Sequence, residues 1–116
     1  MRDLRRNQTL FWFSRYLQKE PVMENGFETG QYEAVYSKPV LTWAHISSAS
    51  GESEAEMFGA DVQYDRIIST VRNLPIDEFS RLWIDADPTN GDAHDYVVKR
   101  VAKGLDQNLW AIAKVI

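Results

Sequence analysis

The two histidines, His45 and His94, are the side chains best suited to act as a base or a metal ligand near neutral pH. Neither has a third ligand or an activated nucleophile at a spacing typical of a known motif. His45 lies between Trp43 and Ile46 in a stretch with strand character, where an imidazole ordinarily packs or faces solvent. The histidines therefore predict no catalytic or metal centre.

The polar stretch 85–91, DADPTNG, places carboxylate and amide oxygens at spacings that resemble a calcium loop. A calcium loop of the EF type needs glycine at its sixth position and an acid at its twelfth. Counted from Asp85, the glycine falls seventh, at Gly91, and the twelfth residue is Tyr96. We therefore predict a polar turn at this stretch.

Other chemistry is also missing from the sequence. The chain has no cysteine, which excludes a disulfide, a thiol nucleophile and a thiolate zinc site. No glycine-rich phosphate loop is present, and the adjacent acids at 77 and 78 fall in a predicted turn, where acids are common for backbone reasons. We expect a protein that is not an enzyme and that uses no cofactor or metal.

Length and composition indicate one globular domain. A chain of 116 residues with 44% hydrophobic residues can bury a substantial core. Its net charge of −4 argues against duplex binding through uniform positive potential. No apolar run approaches the roughly 18 residues of a membrane span, and no signal-type core follows the first residues. We expect a soluble protein with no membrane partner.

The elements that must position these residues are strands. β-branched and aromatic residues alternate with polar ones between turn signals. The predicted strands are residues 9–17, 31–37, 40–47, 62–71, 81–85, 95–103 and 109–116. We predict that residues 18–30 form a turn-rich connection or a loose hairpin, and that 104–108 form a five-residue hairpin loop. The pattern predicts an all-β sandwich or barrel, and we favour a small β-barrel of about six to seven short strands.

Each of the four tryptophans, Trp12, Trp43, Trp83 and Trp110, falls in a predicted strand. Buried or interfacial tryptophan supplies a large apolar area and usually finds a partner for its indole N–H. We therefore expect these residues to anchor the core or a subunit interface, in preference to stacking on nucleic-acid bases. Trp83 and Trp110 have apolar neighbours and are predicted to be structural.

Residues 51–59, GESEAEMFG, form an acidic excursion between two predicted strands. It contains three glutamates, has no basic residue and is bounded by glycines, and loops have few packing reasons to be elaborate. We therefore predict a functional loop. Its key residues are Gly51, Glu52, Glu54, Glu56, Phe58 and Gly59.

Charge is distributed unevenly along the chain. The stretches 52–61 and 85–95 are acidic apart from His94. The basic residues lie toward the two ends of the chain, in a basic N-terminal arm, 1–7, with Arg15, and in residues 99–114. Separated signs suit head-to-tail contacts between copies, although surface charges also serve solubility. The predicted interface residues are Arg2, Arg5, Arg6, Trp12, Lys99 and Arg100.

Several stretches together resemble the head-closure proteins of tailed bacteriophages, in particular short forms from phages and prophages of low-GC Gram-positive bacteria. The matching stretches are 51–70 (GESEAEMFGADVQYDRIIST), 75–78 (PIDE), 82–85 (LWID), 95–103 (DYVVKRVAK), 111–115 (AIAKV), 1–7 (MRDLRRN) and Phe11-Trp12. The likeness covers nearly the whole chain but rests on a pattern and not on a chemical motif.

The resemblance implies a structural protein of the virion neck that assembles in the bacterial host cytoplasm. Such proteins are small β-barrels that form a homo-oligomeric ring between the portal–adaptor assembly and the tail or tail terminator. A long loop, matching about residues 47–62 here, points toward the channel and helps retain the packaged double-stranded DNA. Neighbouring adaptors are mostly helical and tail terminators mix helix and sheet, so a β-rich chain favours closure.

Two alternatives remain. The chain could be another tail or tail-completion protein. It could also be a single-stranded nucleic-acid-binding β-barrel, because aromatic-rich barrels can stack bases. The second alternative requires a basic groove interleaved with exposed aromatics, and the acidic loops argue against it.

Overall fold

The computed structural model describes residues 8–48 and 63–115. Eight strands lie in this part of the chain: β1 (Thr9–Ser14), β2 (Tyr16–Glu24), β3 (Phe27–Tyr36), β4 (Val40–Ser48), β5 (Arg66–Thr70), β6 (Arg81–Trp83), β7 (Tyr96–Lys103) and β8 (Asn108–Lys114). Six of them form a closed antiparallel barrel in the order β1-β4-β5-β8-β7-β6, and β2 and β3 form a separate two-stranded sheet. The predicted small β-barrel is confirmed.

Side-chain alternation fills the barrel. Phe11 and Phe13 of β1 point inward and are buried, whereas Leu10 and Trp12 on the same strand point outward. β1 pairs with β4 on one side and with β6 on the other, so the sheet closes and leaves no free edge.

The core centres on Trp110 of β8, which is fully buried. Its indole Nε1 donates a 2.8 Å hydrogen bond to the carbonyl oxygen of Ile76. Ile76 and Leu74 are buried too, so the connection between β5 and β6 packs into the barrel. The remaining members of this buried cluster are Phe11, Phe13, Ala44, Ile68, Leu82, Ile84, Tyr96, Val98 and Ile112.

A second buried cluster lies on the outer side of the same sheet. Ile68 and Trp110 pair and face the barrel interior, so the adjacent pair Ile67 and Ala111 must face outward. These two residues pack with Leu109, and Tyr64 and Ala102 pack against the cluster. The sheet around β5 and β8 is therefore covered on both faces.

The prediction of one strand over residues 9–17 is wrong. The chain leaves the barrel at Arg15, where β1 ends and β2 begins. Ser37 fixes this exit: its N–H donates to the Arg15 carbonyl at 2.8 Å, and the Arg15 N–H donates to the Ser37 Oγ at 2.9 Å. These local bonds redirect the chain into a new sheet although the sequence keeps its strand character.

For residues 18–30, the hairpin alternative is correct and the turn-rich connection is wrong. β2 and β3 pair from Tyr16 with Tyr36 out to Glu24 with Phe27. Between them Asn25 and Gly26 both have positive φ, 53° and 86°, which is the two-residue turn that matches strand twist.

Smaller differences lie at strand ends. β5 begins at Arg66 and ends at Thr70, so the predicted strand 62–71 was too long, and residue 62 lies outside the described residues. Asn108 pairs with both Thr70 and Lys103, which adds it to β8 and leaves a four-residue hairpin loop, 104–107, where five residues were predicted. β6 ends at Trp83 and does not reach the predicted residue 85.

The register defines two ends of the barrel. At the first, which we call the loop end, β1, β5 and β7 begin while β4, β6 and β8 end. At the second, β1 ends and the β2–β3 sheet departs, and we call this the arm end after that projecting sheet. The connections 71–80 and 104–107 also lie at the arm end. In the part of the chain that the structure describes, no helix is long and apolar enough to cross a membrane.

Candidate interaction surfaces

The predicted acidic loop lies outside the described residues. This applies to Gly51, Glu52, Glu54, Glu56, Phe58 and Gly59, and also to Arg2, Arg5 and Arg6 of the N-terminal arm. The structure does describe the strands that residues 49–62 connect. Ser48 at the end of β4 pairs with Arg66 at the start of β5, so the segment leaves and rejoins the barrel at the loop end.

Aspartates organise the backbone at the loop end. The two carboxylate oxygens of Asp95 accept hydrogen bonds from the N–H groups of Ile84 and Asp85, each at 2.8 Å. The carboxylate of Asp65 accepts from the Lys114 N–H at 2.7 Å. Asp95 thus holds the end of β6 to the start of β7, and Asp65 holds the end of β8 to the start of β5. Asp65 also leaves negative charge beside the point where residues 49–62 attach.

The stretch 85–91 is a polar turn, as predicted. Asp87 caps a single 3-10 turn, Pro88–Asn90, by accepting from the Thr89 hydroxyl at 2.6 Å and the Thr89 N–H at 2.8 Å. The side-chain bond first, and then the backbone bond, hold the pKa of Asp87 below its ordinary value. Within the described residues, no group of three or more His, Cys, Asp or Glu side chains could hold a metal ion.

The histidines occupy different environments. His94 lies edge-on to the Trp83 ring, with 6.1 Å between ring centroids, and the Trp83 indole N–H donates to the Asp92 carbonyl at 2.9 Å. Burial, followed by the nearby Arg81 charge, lowers the pKa of His94 even though Asp95 opposes the shift. The imidazole is therefore neutral at neutral pH and serves as a packing group. His45 is exposed on β4.

Asp95 offers a stability test. Replacing Asp95 with alanine removes the acceptor for two backbone N–H groups, and we expect a loss of about 2 kcal/mol in unfolding free energy. The matched control is Asp85→Ala, which removes only a half-exposed ion pair with Arg66 at 3.6 Å and should cost less than about 1 kcal/mol. Urea denaturation measures both variants, and equal losses would contradict this account of Asp95.

The β2–β3 sheet projects from the arm end. We call this sheet the arm from here on, and it is distinct from the basic N-terminal residues 1–7. Its strands pair only with each other, and most of its residues are exposed. Four large apolar side chains on it are exposed, with Phe27 at 77%: Leu17, Met23, Phe27 and Tyr32. Because an isolated two-stranded ribbon is at best marginally stable in water, such a surface suggests that the arm contacts a partner.

The base of the arm is fixed to the barrel. Tyr16 and Tyr36 meet edge to face with ring centroids 5.8 Å apart, and Phe79 lies 6.2 Å from Tyr16. The Arg81 guanidinium lies over the Tyr36 ring at 3.8 Å. The Ser14 hydroxyl adds a 2.5 Å bond to the Ser37 carbonyl. The direction of the arm is therefore set before any partner binds.

The arm is acidic. It carries four glutamates and one lysine: Glu20, Glu24, Glu28, Glu33 and Lys19. Glu20 and Glu33 stand directly opposite each other across the two strands, an arrangement that destabilises a sheet pair by like-charge repulsion. A cationic surface beside them would relieve that repulsion.

The outer face of β1 and β4, hereafter the wall, is the second exposed apolar surface. Leu10 pairs with Trp43 and Trp12 with Leu41, and all four point away from the interior. Trp43 remains 48% exposed although Arg72 lies over its ring at 4.0 Å. Arg72 also donates to the Trp43 carbonyl and to the Thr42 hydroxyl. The wall is thus apolar with a fixed positive charge.

Among the predicted interface residues, Trp12 lies half-buried on the wall, while Lys99 and Arg100 are exposed on β7. β7 is not a neighbour of β1 or β4 in the barrel. The structure therefore places Trp12 on a different face from the two basic residues.

Comparison with known proteins gives no match: no family model, no curated protein and no solved structure is significantly similar to this chain.

Proposed function

We propose that the chain is a structural protein of a tailed-bacteriophage neck, present in the virion after assembly in the host cytoplasm. It forms a ring that binds the portal or adaptor on one side and the tail or tail terminator on the other, and it helps retain packaged double-stranded DNA. The observation that carries this proposal is the closed barrel whose two ends have different chemistry. A neck protein must contact neighbouring proteins and must also face the DNA channel, and two unlike ends suit these two roles.

The arm end is suited to protein contact. Besides the arm, it exposes four apolar side chains: Val40, Val71, Phe79 and Leu105. Exposed apolar groups clustered at one end of a small barrel are typical of surfaces that become buried in an assembly. We assign the arm end to contacts with neighbouring proteins.

The loop end is suited to face DNA without binding it. Residues 49–62, with Glu52, Glu54 and Glu56, attach there beside Asp65 and the acidic turn around Asp87. In a ring, every copy repeats these carboxylates around the axis, and negative potential in a confined channel repels phosphate. DNA can then slide past without sticking, while the bulk of the loops obstructs it.

Self-association of the purified protein is expected to be weak. Contacts between charged edges are small and screened by salt, so the chain should be monomeric or weakly associated alone and form its ring on a template. Light scattering across a salt series measures this. A tight, salt-insensitive dimer would contradict the prediction.

A binding assay on the same purified protein distinguishes the neck proposal from the single-stranded nucleic-acid-binding alternative. A single-strand-binding barrel should bind a labelled oligothymidine with an affinity that falls steeply as salt rises. The neck proposal predicts no such binding, because the loop end is acidic.

Inactivating the coding sequence in the phage genome that carries it tests the proposal. The neck assignment predicts lysates with separate heads and tails, heads that lose DNA, and restoration of joined virions by the wild-type protein in trans. Electron microscopy of the lysate measures all three effects, because it distinguishes joined from separate particles and filled from empty heads. Complete infectious virions formed without the protein would overturn the proposal.

A further inference from the structure

We propose that the arm of one copy lies on the wall of the next copy, in a head-to-tail contact that repeats around the ring. This inference deepens the proposed function, on which it rests for the ring itself. The arm and the wall are the two outward apolar surfaces described above, and within one chain neither covers the other.

The rest of the chain that the structure describes does not cover the apolar side chains of the arm. Its base is held by Tyr16, Tyr36 and Phe79 and by the Arg81 cation over Tyr36, which fixes the direction in which it leaves the barrel. Leu17, close to that base, is still exposed. The arm is therefore oriented outward, toward a second molecule.

Charge identifies that molecule as another copy of this chain. The arm has four glutamates against one lysine, whereas β1 and β4 contain no acidic residue at all. Arg72 lies on the wall against Trp43, and Lys38 is exposed just before β4. Acidic arm and basic wall are complementary in sign as well as in apolar character.

The same charges disfavour the symmetric contacts. Two arms packed together would add a second set of glutamates to the pair Glu20 and Glu33, which already face each other. Two walls packed together would bring two copies of Arg72 together. Only the arm-to-wall contact joins unlike surfaces, and a contact of that type closes into a ring when its rotation is right.

The absence of cysteine makes the contact directly measurable, because introduced thiols have no competitors. One full-length variant carries Phe27→Cys on the arm and a second carries Leu41→Cys on the wall. The two proteins are distinguished by a mass tag, mixed at high concentration and treated with a short bis-maleimide linker. We expect a mixed arm–wall dimer as the main product, and its loss when Arg72→Glu is added to the wall variant.

The matched control carries Ala93→Cys, an exposed position in the connection between β6 and β7 at the loop end, the end of the barrel opposite the arm. Equal yield with this control, a predominance of arm–arm product, or no arm–wall product would each overturn the inference. An arm–wall product from a protein found outside the neck would overturn the proposed function alone. A neck protein without that product would overturn only this contact. Circular dichroism establishes that each variant keeps the β fold.

Discussion

Replacing Trp110 with alanine should lower the free energy of unfolding by about 3–5 kcal/mol. Trp110 is 0% exposed at the centre of the barrel core, so the substitution leaves a cavity between strands that cannot easily collapse. It also removes the indole N–H that donates a hydrogen bond to the buried carbonyl of Ile76. Such a loss is a large share of the total stability of a domain this small.

Urea denaturation of Trp110→Ala and of the matched control Trp43→Ala measures this effect. The control deletes the same side chain from the wall, where it is half exposed and chiefly contacts Arg72, and it should cost about 1 kcal/mol or less. Trp83→Ala should resemble Trp110→Ala, because Trp83 is buried against His94. Wild-type stability in either of the two buried variants would show that its tryptophan is not part of the core.

Deleting residues 52–58 should release packaged DNA from tailless heads while the protein still folds and joins the neck. The deletion removes Glu52, Glu54, Glu56 and Phe58, and the reason for the effect is the loss of bulk around the ring axis. DNA retained in filled heads, measured by nuclease sensitivity, is the readout. Heads that carry the variant and hold DNA as well as wild type would assign the segment to a protein contact.

A charge variant of the same loop tests whether the loop acts on DNA through its volume or through its negative charge. Replacing the three glutamates with lysine should keep DNA inside but slow its ejection, because the channel would then attract phosphate. The control is Glu78→Lys with Asp106→Lys, which adds positive charge at the arm end. Equal slowing by the control would contradict the assignment of the loop to the channel.

The barrel could be predicted from the sequence because its strands have turn signals between them and alternation within them. Phe11 and Phe13 alternate with outward residues, and the hairpin of β7 and β8 follows from two apolar runs around Gly104. Alternation alone does not predict closure of the sheet, because closure depends on the pairing of β1 with β6, which are far apart in sequence.

The arm was only half predicted, for a physical reason. Its strands are exposed, so no buried face requires apolar and polar residues to alternate over residues 18–30. Hydrophobic periodicity therefore does not identify these residues as strands. Asn25-Gly26 was the available signal, since this pair favours the turn found there. The sequence placed Trp12 among the interface residues and Trp43 among the core or interface anchors, but it did not predict the wall as one surface. Strand alternation alone does not tell which apolar face lies outside the barrel.

The measurement that tests the central claim most directly is the position of the protein in the virion. An antibody against the purified chain, or a small tag at an exposed position, can be located on purified particles by electron microscopy. The account predicts label confined to the junction between head and tail, with averaged images showing a ring of repeated copies at that level. Label on the capsid, along the tail or absent from virions would contradict it.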